Sequence, residues 1–154
     1  MQAERLIPQI EALEKHISEY GFEETKKIID IFGIYHFSRY PDGILHKQLR
    51  QWENSEAPIK NIVVTARSDW NGSLDDAGKP YVNGIEEDGL FYFEVNDKIQ
   101  LAKVAVSVGN RERSMGRNPE KESQLKNFKI NAHASPSGIL FGVNGERLSV
   151  EDYL

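Results

Sequence analysis

Two triplets of the same form, His36-Phe37-Ser38 and His133-Ala134-Ser135, are the residues of this sequence best equipped for chemistry. In a strand, positions i and i+2 share a face, so each triplet would present an imidazole and a hydroxyl together. Phe37 and Ala134 would then face the other side. Two such strands placed side by side would line a groove with two histidines and two serines. That set suits a phosphodiester. One imidazole removes the proton of the attacking group, the other protonates the leaving oxygen, and the hydroxyls hold the non-bridging oxygens. Histidine fits both tasks because its unperturbed pKa is about 6.5. A half-buried histidine bonded to a backbone carbonyl explains each triplet separately, so the reading stands or falls on whether the two meet.

The double triplet resembles the 2H phosphoesterase family, whose fold carries two His-x-Ser/Thr motifs on adjacent strands. The resemblance implies an enzyme that needs no metal and no cofactor and acts on RNA ends or cyclic nucleotides. It implies His36 and His133 as the acid–base pair and Ser38 and Ser135 as phosphate ligands. A basic segment from Gly109 to Pro119 reads as a flexible loop, and its Arg111, Arg113 and Arg117 would supply further anion binding. A small nucleotide or an RNA end is the expected partner.

Other readings use other residues. Ile34 to Ser38 followed by Gly43-Ile44-Leu45 looks like the opening strand and helix of some ADP-ribosyltransferase toxins. That resemblance implies NAD held by His36 and Ser38, with Glu146 or Glu151 as the catalytic acid. Asp69-x-Asn71-x-Ser73-x-Asp75 spaces oxygen ligands as calcium loops do, but Leu74 and Pro80 replace the glycine and bidentate glutamate of an EF-hand. Residues 68–97 carry eight acids against Lys79, with Trp70, Tyr81 and Phe91 nearby. An acidic surface with aromatic anchors suits a non-catalytic module, such as a toxin inhibitor, an immunity protein or a phage accessory protein, capturing a basic protein. His16 and His46 are expected at the surface of charged helices.

The chain that must position these groups has 154 residues, a net charge of −5 and no cysteine. Without cysteine there are no disulfides, thiolate nucleophiles or thiolate metal sites. Acidity argues against broad DNA binding, which needs a basic surface. No run reaches the roughly 20 apolar residues of a membrane span, so a single soluble, cytoplasmic domain is expected. Leu6, Ile10, Leu13 and Ile17 predict a first helix from about Ile7, after Pro8 has been accommodated in its opening turn. A second helix runs from about Glu23 to Gly33, and a third, through Leu45, Gln48, Leu49 and Trp52, ends near Asn54. Beyond Pro58 the apolar period is read as two. Strands are predicted at 62–66, 90–95, 98–108, 128–134 and 139–143, and Asn96-Asp97 and Asn144-Gly145 are taken as hairpin turns. The expected architecture is α+β: a helical layer over about 4–54 packed on a mostly antiparallel sheet with C-terminal hairpins, over about 58–154.

Overall fold

The computed structural model describes residues 2–34, 37–41, 43–54, 59–66, 89–117, 125–135, 138–140 and 147–148. Helix α1 (Gln2–Tyr20) carries Pro8 in its second turn, so it begins earlier than the proline suggests. Gly21, at φ 89°, breaks the chain between α1 and α2 (Phe22–Phe32) in a backbone region that side chains disfavour. A 3-10 turn (Phe37–Arg39) and α3 (Ile44–Glu53) complete the N-terminal helical layer. Gly43 opens α3 at φ 81°, a conformation that favours glycine, and a Cβ there would stand 3.3 Å from the Tyr20 hydroxyl, a tight approach.

Among the described residues the main sheet has three strands, β1 (Asn61–Ala66), β2 (Leu90–Val95) and β3 (Asn127–Asn131), in the order β2-β1-β3. Both pairings are parallel. Helix α4 (Lys98–Ser114) carries the chain from β2 to β3, on the far side of β1. Every residue of β2 is buried, as is all of β1 after Asn61. On one face of the sheet, Phe91 and Phe93 meet Phe32 of α2 and Trp52 of α3, with ring centroids 5.4–6.4 Å apart. Tyr92 and Glu94 lie on the other face, where Tyr40 packs.

Gln48 shields the outer edge of β2. Its carboxamide donates to the Tyr92 carbonyl and accepts from the Tyr92 amide, both at 3.1 Å, as a neighbouring strand would. The side chain is fully buried.

The mostly antiparallel sheet expected from the sequence is therefore corrected: the main sheet is wholly parallel. The predicted strand at 98–108 is helix α4, and its supposed hairpin turn is a helix start, with the Asp97 side chain accepting from the Gln100 amide at 2.7 Å. Two strands that run parallel need a crossover between them, and α4 supplies it between β2 and β3. The basic segment expected as a loop from Gly109 is helical through Ser114. Ile34 to Ser38 is expected extended, but Phe37 and Ser38 belong to the 3-10 turn. Among the described residues, antiparallel pairing is found in a separate small sheet, β4 (His133–Ser135), β5 (Gly138–Leu140) and β6 (Arg147–Leu148). Asp69 to Asp75, Asn144-Gly145, Glu146 and Glu151 lie outside the described residues, as does the acidic stretch as far as Asp88. No helix among the described residues is long and apolar enough to cross a membrane.

Candidate functional site

Parallel sheets leave their loops at one end free for ligands, outside the carboxyl ends of the strands where strand order reverses. Here that end carries a polar row. Glu94, Thr65 and Asn131 are register partners across β2, β1 and β3, so all three share one face. The Asn131 amide donates to the Thr65 hydroxyl at 3.3 Å. Glu94 is only 2% exposed and accepts from the Tyr40 hydroxyl at 3.2 Å. A buried carboxylate requires such donors. The bond fastens the turn containing Ser38 and Tyr40 to the carboxyl end of β2.

His133 lies at the same end. It follows β3 by two residues and opens β4, where it is partly buried and faces Leu140 of β5 in register. Ser135 occupies the position opposite Gly138. Strands β2 and β3 are two spacings apart, about 10 Å. Ser38 is exposed. His36 lies outside the described residues, immediately before the 3-10 turn.

A second constellation was missed by the sequence reading. His16 is not at the surface but 8% exposed, between α1 and α2. Its Nδ1 is 2.8 Å from the Thr25 hydroxyl, which itself donates to the Gly21 carbonyl at 2.9 Å. The Thr25 hydroxyl thus bridges the His16 ring and the Gly21 carbonyl. Nε2 is buried and meets no hydrogen-bond partner among the described residues. Burial pushes the pKa of His16 below its ordinary value, and His46 adds to the effect, while Glu19 and Glu24 oppose it.

The rings continue as a column. Phe37 lies 5.2 Å and Tyr20 4.7 Å from His16, and His46 stacks on Tyr20 at 4.5 Å. Nδ1 of His46 is 2.8 Å from Glu24, and its Nε2 accepts from Arg50 at 3.2 Å, so His46 too is held rather than free at the surface. His16, Tyr20, Phe37, Ser38 and Tyr40 border a cavity of about 320 Å³ between α1 and the turn leading into α3.

The three arginines are placed along the end of α4. Arg111 is buried, and its guanidinium donates to the carbonyls of Trp52 at 2.8 Å, Gln51 at 3.0 Å and Asn54 at 3.0 Å. These are carbonyls at the end of α3, where the helix leaves its last acceptors short of donors; that of Gln51 also accepts from the Asn54 amide at 3.3 Å. It also lies over the rings of Trp52 and Phe91. Arg117 pairs with Glu112, and Arg113 donates to Asn110 at 2.9 Å. Of the acids in the 68–97 stretch, Glu94 is buried and Asp97 caps α4. Among the described residues no group of histidines and carboxylates is arranged to hold a metal ion. No family model, curated protein or solved structure matches the chain.

Proposed function

We propose that the carboxyl end of the parallel sheet carries out metal-independent acid–base chemistry on a phosphodiester. His36 and His133 act as the proton donor and acceptor, and Ser38 and Ser135 act as phosphate ligands. The observation that supports this reading is the Tyr40–Glu94 hydrogen bond. It ties the first triplet's turn to the carboxyl end of β2, the end at which His133 leaves β3. Two strand spacings, about 10 Å, lie within the span of one nucleotide phosphate with its two flanking oxygens and the side chains that reach toward it.

In this reaction one imidazole removes a proton from water or a ribose hydroxyl as the oxygen attacks phosphorus. The other gives a proton to the departing oxygen, and the two rings exchange roles in the reverse direction. The serine hydroxyls donate to the non-bridging oxygens as charge builds there. Arg113, exposed in the last turn of α4, is the nearest of the three arginines to a cation for the substrate, because the Arg111 guanidinium is turned inward to backbone carbonyls and Arg117 is paired with Glu112.

The test compares wild type with His36→Ala and His133→Ala on 2′,3′-cyclic nucleotides and short RNA, with EDTA present throughout. Turnover by wild type and a loss of at least about a hundredfold in each variant is expected, the usual weight of one positioned acid or base. Equal inactivity of all three proteins removes the proposal.

A further inference from the structure

We propose that α1 is an acid-released latch: protonation of His16 detaches this helix from α2 and the 3-10 turn while the other helices and the main sheet stay folded. The inference goes beyond the phosphodiester reading and does not rest on it. Among the described residues, the buried apolar core draws on α2, α3, α4, the 3-10 turn, β1 and β2, and on nothing from α1. Ala12 and Leu13 pack against that core only partly buried, and Ile7 and Ile10 of the same helix are exposed. Of the described α1 side chains, His16 alone is buried. It meets α2 through the Thr25 hydroxyl at 2.8 Å and the turn through the Phe37 ring at 5.2 Å. The grip of α1 on the molecule is therefore centred on one titratable ring.

Whichever nitrogen carries the proton of the neutral ring, an imidazolium must donate from both. Nε2 is buried with no acceptor among the described residues, so the cation leaves a donor unsatisfied and a charge poorly solvated. From α3, His46 opposes that charge, while Glu19 of α1 and Glu24 of α2 favour it. Both carboxylates are engaged elsewhere, Glu24 at 2.8 Å from His46 and Glu19 at 4.0 Å from Lys15. Glu11 and Lys15 of α1 line the cavity beside the ring, and Tyr20 and Phe37 face it with uncharged rings. Burial is the largest influence and, with His46, outweighs the carboxylates, so the attached ring takes a proton less readily than its ordinary 6.5. A detached α1 carries a solvated ring of ordinary affinity. Attachment is thus complete above about pH 6.5 and weakens by up to about tenfold per pH unit below it, until the attached ring also titrates. An element with few buried apolar contacts opens ahead of the whole fold. Its release removes one wall of the cavity bordered by Ser38 and Tyr40, which makes access to that turn pH-dependent.

The experiment follows amide hydrogen exchange of the full chain at about pH 7.5 and pH 5, each rate referred to that of the unstructured chain at the same pH. Protection of α1 is expected to fall roughly tenfold or more on acidification, with α3, β1 and β2 unchanged. His16→Gln, which cannot titrate, is expected to keep α1 protected at both pH values. Should glutamine loosen α1 even at the higher pH, His16→Phe, which keeps ring contacts with Tyr20 and Phe37, takes its place with the same expected loss of the pH step. His46→Gln is expected to retain the step. Constant α1 protection in wild type, an equal fall in α1 and β2, or a step that persists in both His16 variants overturns the proposal. None of these results bears on turnover by His36 and His133, which the cyclic-nucleotide assay reads independently.

Discussion

Replacing Arg111 with methionine tests how the C-terminal part of α4 is held to α3. Methionine keeps much of the unbranched stem and its packing against Trp52 and Phe91, so the change isolates the guanidinium. The carbonyls of Gln51, Trp52 and Asn54 each lose the guanidinium as a donor, though Gln51 keeps the Asn54 amide, and Glu112 loses its bond to Arg111. Hydrogen bonds from a charged group contribute about 1.5–3 kcal/mol each, so the gross loss is several kcal/mol. Against this, the unfolded chain no longer surrenders the hydration of a guanidinium that is 5% exposed when folded. Breaking one side of a buried polar network usually costs about 3–5 kcal/mol net, and we expect that range here. For a domain of this size each kcal/mol moves Tm by about 2–4 °C, so the variant melts about 10 °C or more below wild type. Arg113→Met, at an exposed guanidinium, changes stability by no more than about 0.5 kcal/mol. Lysine at position 111 recovers only a fraction, since a point charge cannot span three carbonyls as the planar fork does. Circular dichroism melts read all three variants. A drop of less than about 2 °C in Arg111→Met would refute the reasoning, because an arginine placed for a ligand leaves the fold intact when it is removed.

Three further outcomes follow from the buried polar groups. Gln48→Leu strands the amide and carbonyl of Tyr92 on the outer edge of β2 and costs about 2–4 kcal/mol, read from the urea midpoint; an unchanged midpoint contradicts the edge-shielding role. Asp97→Ala removes the α4 cap and costs about 1 kcal/mol, with no loss expected if Asn96-Asp97 were a hairpin turn. The folded chain protonates His16 less readily than its ordinary 6.5, so the unfolded chain takes the proton first. Stability is therefore full above about pH 6.5 and falls as pH drops below it, until the folded ring also titrates. His16→Phe flattens this slope, and a slope equal to wild type refutes the assignment to His16.

The three N-terminal helices were legible because their apolar spacing and glycines agree. Gly33 ends α2 in the left-handed region, and Leu45 and Leu49 are buried along α3 as the pattern required. The sheet was misread for two identifiable reasons. In α4 the alternation of Ile99 and Leu101, then Val104, Val106 and Val108, imitates a strand, yet Ile99 and Val106 are 66% and 59% exposed. The residues that face inward are Leu101, Val104, Val108 and Arg111, at helical steps of three, four and three. Arginine completes that stripe, and a charge does not count toward an apolar period. The second reason concerns β1 and β2, whose continuous burial is the mark of strands covered on both faces. That pattern belongs to parallel sheets, whereas a half-exposed antiparallel strand alternates. The run Ile62–Ala66 carried this signal, and the hairpin reading of Asn96-Asp97 overrode it.

The candidate site was partly hidden by the same sorting of residues, apolar to the core and polar to the surface. Glu94 stands in an acidic stretch, His16 on a charged helix, Gln48 on an amphipathic one and Arg111 in a basic segment, and each is buried. Each also joins elements that are distant in sequence or fixes the packing between neighbours. Glu94 holds the Tyr40 turn to β2, Gln48 closes the edge of the same strand, Arg111 caps α3 from α4, and His16 locks α1 to the start of α2. Apolar contacts tolerate rotation and sliding, whereas a short hydrogen bond to a buried group fixes register and direction. The Ser38 turn therefore has a defined place at the carboxyl end of the sheet because a carboxylate buried there accepts from Tyr40. Tyr40 also borders the His16 cavity. One tyrosine thus joins the lining of that cavity to the carboxyl end of β2, through its hydroxyl bond to Glu94.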